Sequence, residues 1–334
     1  MNISATTMLR ICSATLGFSL LAASAAGAVP LVYVLNGESS AEAVQESANG
    51  NVPPAIALFG ERTGIESPSG LAVSPTGVVA IPVFDGGDRI RQRINLFARG
   101  ASGNVFPIGT IICAGLGGVP EQVAFDSQGS LYAEYAGYSR KGSDAIEVFA
   151  PGHQSGCVKD THVIFGPRTS VDALSGITVA RGTIYNGSHD VNGLHAAVRE
   201  FRTTDHGNVA PRNIIQGLNT GLQFVGGLAV DNNGYLYVAN STSNAAEIRM
   251  FSPSAHGDVA PIAIIAGNRT RLHYVSSVTV SRDGRIFVAS SPNDTDAVEI
   301  VVFARGAHGN ASPIQVISGS RTGFSFIQEI GLRE

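Results

Sequence analysis

One short motif recurs through the chain at a spacing that leaves few folds open. Ile94-Asn95-Leu96-Phe97 returns as Ile146-Glu147-Val148-Phe149, Val198-Arg199-Glu200-Phe201, Ile248-Arg249-Met250-Phe251 and Ile300-Val301-Val302-Phe303. The closing Phe residues are 52, 52, 50 and 52 positions apart. A degenerate sixth copy, Ala41-Glu42-Ala43-Val44, is identified by its offset. Gly50-Asn51 follows Val44 by six residues, as Gly103-Asn104 follows Phe97, and the same step joins Phe201 to Gly207, Phe251 to Gly257 and Phe303 to Gly309. A sustained period of roughly 50 residues is the mark of a solenoid or a propeller.

Each copy carries three further strand-like runs. After the Gly turn comes a run such as Asn213-Ile214-Ile215, closing on Gly60, Gly166, Gly217, Gly267 or Gly319 with Thr three residues later. A small, apolar run follows, as in Gly227-Leu228-Ala229-Val230, and then a turn and Tyr235-Leu236-Tyr237-Val238-Ala239-Asn240. Four short β-branched or aromatic strands split by Gly, Asn and Asp turns make one propeller blade. The ends decide between ring and solenoid. Leu31-Val32-Tyr33-Val34-Leu35-Asn36 copies the Tyr235–Asn240 strand, and Glu329-Ile330-Gly331-Leu332 copies the strand before it. Each end reads as half a blade. Joined, they complete a sixth and close the ring, covering edges that a solenoid leaves bare. The expected fold is therefore an all-β, six-bladed β-propeller of four-stranded blades, spanning residues 29–334, with the last blade shared by both chain ends.

Residues 1–28 read as a secretory signal peptide: Arg10, an apolar Ile11–Ala22 stretch, then the small-residue sites Ala23-Ser24-Ala25 and Ala26-Gly27-Ala28. The expected location is periplasmic or extracellular. The 306 residues that follow give 51 per unit. They hold two thiols, Cys113 and Cys157. By the repeat register Cys113 stands where the outer strand ends and Cys157 where one begins. One strand length, about 20 Å, then separates them, and no disulfide is expected. Beyond the N-terminus no apolar run reaches the length of a membrane span. A net charge of −4 without a basic block gives no footprint for nucleic acid.

The pattern Gly-Leu-Ala-Val-Asp (227–231), Gly-Tyr-Leu-Tyr-Val-Ala-Asn (234–240) and Ile-Arg-Met-Phe (248–251) resembles an NHL-type repeat. It is most similar to the secreted bacterial variety with Gly-Asn-x-x-Pro turns and Gly-x-x-Thr-Gly loops. The resemblance covers essentially all of residues 29–334. It implies six blades with the Gly-Leu-Ala-Val strand innermost, and it leaves function open, because such rings serve as binding platforms, lyases and lactonases alike.

Candidate ligand-binding residues are those that the register places near the axis on the face where chains enter the innermost strands, here called the top. They are Glu121 and Gln122, Glu134, His189, Asp190, His273 and Glu329. Glu121, Glu134 and Glu329 could together offer oxygen ligands to a hard cation. His206, His256 and His308 share one offset before the turn glycines and read as structural. No Gly-x-Ser-x-Gly elbow or His-Glu-x-x-His helix occurs, so no catalytic residue is assigned. Arg62, Arg168, Arg269 and Arg321 recur two residues after the blade-closing Gly. A ring of guanidinium groups could hold an anionic polymer, or each could bond loop carbonyls of the next blade. The expected function is a monomeric, cofactor-free binding or scaffold module for a protein or polymer ligand. The alternative is a metal-dependent lactonase- or lyase-like hydrolase with an axial divalent cation such as Ca2+.

Overall fold

The computed structural model describes residues 29–334 except 38, 85–91, 113–117, 138–143, 153–154, 157–160, 172–174, 190–194, 243–244 and 292–297. Residues 1–28, Cys12, Cys113, Cys157 and Asp190 lie outside the described residues. Six antiparallel sheets of four strands follow one another around a six-bladed β-propeller. In five blades the chain runs from the innermost strand to the outermost before passing to the next, as in Phe224–Val230, Leu236–Ser241, Ala246–Phe251 and Ala263–Ile265.

Local chemistry sets the turns. Between the first and second strands of a blade, Asp231 Oδ1 accepts the N–H groups of Asn233 and Tyr235, and Asp126 Oδ1 those of Gln128 and Ser130, all at 2.9 Å. Arg181-Gly182 makes a shorter, two-residue hairpin instead. Both residues have positive φ (54° and 76°), the twist-matched geometry of a type I′ turn. Pro82 lies in a second strand, Val79–Val83, and the inner strand beside it shrinks to Ala72–Val73. Pro82 has no N–H to give, and the pairing beside it is reduced to a bridge between Pro68 and Val83 and a bond from the Ser69 N–H to the Pro82 carbonyl at 3.2 Å. The recurrent Thr residues are buried. Thr63, Thr169, Thr220, Thr270 and Thr322 each donate Oγ1–H to the carbonyl three residues back at 2.6–2.8 Å.

Leu31–Asn36 pairs with Ser40–Gln45 on one side and Ile327–Arg333 on the other, closing the ring. The shared blade divides three strands to one, rather than half to half. Its inner strand comes from the C-terminus and the other three from the N-terminus. The core lies between blades. Six clusters of buried apolar residues each join two neighbours, and alternate faces of one strand feed different clusters. Leu31, Tyr33 and Leu35 pack toward the following blade, while Val32 and Val34 pack toward the preceding one. The repeated Phe97, Phe149, Phe201, Phe251 and Phe303 are all fully buried.

The Gly-Asn segment is more than a turn. The linker between third and fourth strands climbs beside the outermost strand of the preceding blade. There Gly50, Gly103, Gly156, Gly207, Gly257 and Gly309 form parallel bridges to Ile317, Leu58, Ile111, Ile164, Ile215 and Ile265. Each Gly N–H donates to that neighbouring strand at 2.6–2.8 Å. Next to the Gly, a side-chain oxygen clasps the loop that follows the strand. Asn104 Oδ1 accepts the Arg62 N–H, Asn208 that of Arg168, Asp258 that of Asn219, Asn310 that of Arg269 and Asn51 that of Arg321, at 2.7–2.9 Å. The side chains approach so closely that only glycine fits opposite. A Cβ built on Gly60, Gly166, Gly217, Gly267 or Gly319 would come within 2.8 Å of the clasping Cγ.

This corrects the expectation that the recurrent guanidinium groups bond loop carbonyls. The bond that recurs is made by the backbone N–H, and the guanidinium groups stand exposed, that of Arg62 lying 5.7 Å from the Phe106 ring centre. Changing Arg62, Arg168, Arg269 and Arg321 to Gln should therefore leave the melting temperature within a degree or two. Asn104→Ala or Asn208→Ala should each cost about 1 kcal/mol in chemical denaturation, through the lost clasp.

Candidate functional site

Two cavities lie along the axis. The larger, about 470 Å³, is the central channel, lined by inner-strand residues that include Leu71, Gln122, Gly176, Gly227, Val278 and Glu329. Its far mouth carries Asp126, Arg282 and Glu334. The second, about 340 Å³, opens on the top face between Gly37, Ser67, Pro68, Ser69, Phe84, Val119, Glu121 and Gln328.

At the top of the channel the inner strands are stitched to one another. Ser69 Oγ donates to the Pro120 carbonyl and Ser276 Oγ to the Ile327 carbonyl, both at 2.9 Å. The Gly176 N–H reaches the Gly226 carbonyl directly at 3.0 Å. A Cβ on Gly226 would meet the Ser276 carbonyl oxygen at 2.7 Å, so the small residues at the mouth mark close strand approach.

Glu121 and Gln122 sit at the β-bulge between Pro120 and Val123 and line different cavities. Glu121 lines the top cavity, where burial, reinforced by the Asp144 charge, pushes its carboxyl up to about 7. Gln122 turns into the channel and its Nε2 donates to the Ser69 carbonyl at 2.8 Å. Glu329 also lines the channel and accepts Ser277 Oγ–H. Burial raises it to about 7, against the opposing pull of that bond and the Ile330 N–H. Glu134 is fully buried on a second strand, Leu131–Ala136, and its Oε1 accepts Asn186 Nδ2–H at 2.5 Å. The three carboxylates proposed as one oxygen cluster are thus held in three separate environments. Among the described residues no group of three His, Cys, Asp or Glu side chains is placed to hold a metal ion.

The histidines also part company. His189 Nδ1 sits 2.9 Å from Ser175 Oγ, and its ring meets Phe224 edge-on at 5.5 Å. His273 is exposed, and its backbone N–H donates to Ser290 Oγ at 3.2 Å. His206, His256 and His308 are exposed, each with Nδ1 within 3.0–3.5 Å of a carbonyl two residues back. Around Glu121 every other residue that lines the cavity was left out of the candidate site: Gly37, Ser67, Pro68, Ser69, Phe84, Val119 and Gln328. Ser67 has one signal of its own, a positive φ of 40° at a non-glycine position.

No family model and no curated protein matches the chain. Solved structures do. XC5397, a gluconolactonase from Xanthomonas campestris, is similar at 16% identity over 77% of each chain, with a TM-score of 0.47. Virginiamycin B lyase from Staphylococcus aureus is similar at 13% identity over 76% of this chain and 69% of that one, with a TM-score of 0.41. A Lactobacillus plantarum protein aligns at 11% identity over 92% of this chain and 99% of its own, with a TM-score of 0.48. The six sheets and their closure, rather than these likenesses, establish the propeller.

Proposed function

We propose that this chain is an exported propeller of NHL type that acts as a binding or scaffold module, taking a polymer or protein ligand on its top face around Glu121. The observation that carries this reading is the separation of the axial carboxylates. Glu134 is committed to Asn186 inside the ring and Glu329 to Ser277 in the channel, which leaves Glu121 as the one carboxylate among the described residues that line the top cavity. A cation-dependent hydrolase needs several oxygens converging on one ion. A carboxyl that is half protonated near neutrality, beside Phe84, the Gln328 amide and two serines, suits uncharged hydroxyl and amide groups instead. Glycan or peptide chains carry such groups, and one apolar wall with a few polar contacts is the usual composition of a binding pocket.

The test has two arms. Purified protein equilibrated with Ca2+ and dialysed should hold no stoichiometric metal and show no Ca2+-dependent turnover of a lactone panel. On glycan and peptide arrays it should retain a ligand class whose signal falls at least tenfold in both Glu121→Ala and Phe84→Ala variants. Stoichiometric Ca2+ with metal-dependent turnover would overturn the reading, as would array binding indifferent to both substitutions.

A further inference from the structure

Three consecutive loops on the top face share a charge pattern that the other crossings lack. Residues 217–224, 267–274 and 319–326 each carry the chain from the outermost strand of one blade to the innermost strand of the next. None of these residues is Asp or Glu, while Arg269, Arg271, His273 and Arg321 are among them. The matching loops at 60–67 and 166–173 carry Glu61, Glu66 and Asp172. Arg269 and Arg321 are exposed, and the hydrogen bond each makes comes from its backbone N–H, which leaves both guanidinium groups without a carboxylate partner among the described residues. The carboxylates that reach these loops from neighbouring strands are engaged. Glu299 holds Arg271 at 2.6 Å, and Asp258 accepts the backbone and amide N–H groups of Asn219 at 2.7 and 3.0 Å.

The same loops present large apolar side chains to water. Leu218 is 97% exposed, Phe326 52% and Tyr274 48%. The eighth residue of each loop is aromatic (Phe224, Tyr274 and Phe326), where the matching loops have Ser67 and Ala173. Phe224 is half-buried, its ring edge-on to His189, whereas Tyr274 and Phe326 stand out. Other exposed apolar residues lie apart from this sector. Phe59 and Phe106 belong to the seam of Arg62. Val29 precedes a second strand, and Ile108, Ile262 and Ile314 precede fourth strands, all at the lower ends of their blades. Single exposed apolar residues need no explanation, but repeated ones on adjacent loops, interleaved with unpaired cations, make a patch.

We infer that these three loops dock the propeller on a lipid bilayer that carries anionic headgroups, with Leu218, Tyr274 and Phe326 entering the interfacial layer and Arg269 and Arg321 meeting lipid phosphates. The guanidinium fork matches phosphate oxygens, and each cation near an anionic leaflet adds attraction. Leucine and aromatic side chains are the groups that the boundary between headgroups and acyl chains accepts. An acidic polymer in solution would satisfy the arginines but leave the three apolar side chains in water. A bilayer satisfies both sets at once. Gly37, which lines the top cavity, lies against Phe326, since a Cβ built on it would come 2.6 Å from Phe326 Cδ1. The docking sector therefore borders that cavity. The inference stands on the loops and does not require the ligand proposed for the cavity.

The test sediments residues 29–334, which hold the whole ring, with vesicles of phosphatidylcholine alone or with about 30% phosphatidylglycerol. Omitting residues 1–28 keeps their apolar stretch from binding lipid by itself. Binding to the anionic vesicles should be at least roughly tenfold tighter than to the neutral ones, and should weaken by a similar factor as salt rises from about 0.05 to about 0.5 M. The variant Arg269→Gln, Arg321→Gln and the variant Leu218→Ser, Tyr274→Ser, Phe326→Ser should each lose roughly tenfold with an unchanged melting temperature, whereas Ile262→Ser, Ile314→Ser should lose nothing. Because the chain has no Trp, Phe326→Trp supplies a single reporter whose emission should shift to the blue on anionic vesicles. Failure to sediment with either vesicle would overturn the inference, as would equal binding to both or a reporter that stays in water. Salt-sensitive binding to an acidic polysaccharide with none to vesicles would assign the arginines to a polymer instead. Vesicle binding is read without the glycan and peptide arrays, so either reading can fail while the other stands.

Discussion

A chain lacking residues 29–36 should be insoluble, because the strand it loses is the one on which ring closure rests. Leu31–Asn36 is buried along its whole length and lies between Ile327–Arg333 and Ser40–Gln45. Leu31, Val32, Tyr33, Val34 and Leu35 divide between two interblade cores. At about 1.5–3 kcal/mol for each large apolar side chain, their burial rivals the ~5–15 kcal/mol by which a domain is stable. The deletion also bares two strand edges at once, which are templates for association. Trimming only Val29 and Pro30 removes two bonds at the strand's end, to Arg333 and to the Glu46 N–H, and should leave a soluble protein with nearly the same melting curve. Size-exclusion chromatography and calorimetry of the two variants check both halves. A soluble, cooperatively melting protein without residues 29–36 would contradict the closed ring.

Thermal stability should fall as pH rises from about 4.5 to 7, the reverse of the usual behaviour of carboxylates in ion pairs. Burial raises Glu42 and Glu329 to about 7, in each case against the hydrogen bonds that favour the anion. The unfolded chain titrates these groups near 4.5, so between the two values the folded state binds more protons. Its stability then declines with each step of pH. The coupling is on the order of 2–3 kcal/mol for each carboxyl, or roughly 5–10 °C in melting temperature for the two together. Glu121, raised to about 7, and Glu46 and Glu200, also raised mainly by burial, add in the same direction. Asp283 acts the other way at lower pH. Its bonds to Ser281 and Arg285 hold it below its ordinary value, so their support is lost as pH falls through that range. Calorimetry from pH 4 to 8 should show a maximum near the acid end, and a Glu42→Gln, Glu329→Gln variant should make the decline measurably shallower. A melting temperature that climbs steadily to pH 8 would show that these carboxyls are better hydrated than their burial implies.

What the sequence made legible follows from what repetition averages. The Phe of five third strands and the Thr of five loops recur because those seams need the same buried contact, and each landed in the core. Closure was legible because Leu31–Asn36 is a whole-strand copy. The division of the shared blade was less so, since matching one strand at each end does not say how many others travel with it. The Gly-Asn segment misled for a physical reason. Turn residues in a run of ten to twelve between two strands can equally be extended and bonded to a neighbour, and nothing in Gly103-Asn104 distinguishes the two. The candidate site depended on single residues. Adjacent positions such as Glu121 and Gln122 are parted at a β-bulge into different cavities, while Glu134 spends its oxygen on Asn186 from the next blade. Spacing along the chain carries neither fact.

The backward reach of the linkers means that the stretch duplicated in the sequence is not the stretch that folds. A 52-residue copy cut out alone would carry one half of each of two cores and a glycine bridge with no strand to receive it. Each copy is finished by the one before it as much as by its own residues. In the closed ring the grip of the first copy is taken up by the last. Gly50 and Asn51, gripping Ile317 and Arg321 from the far end of the chain, are where that circularity is still visible.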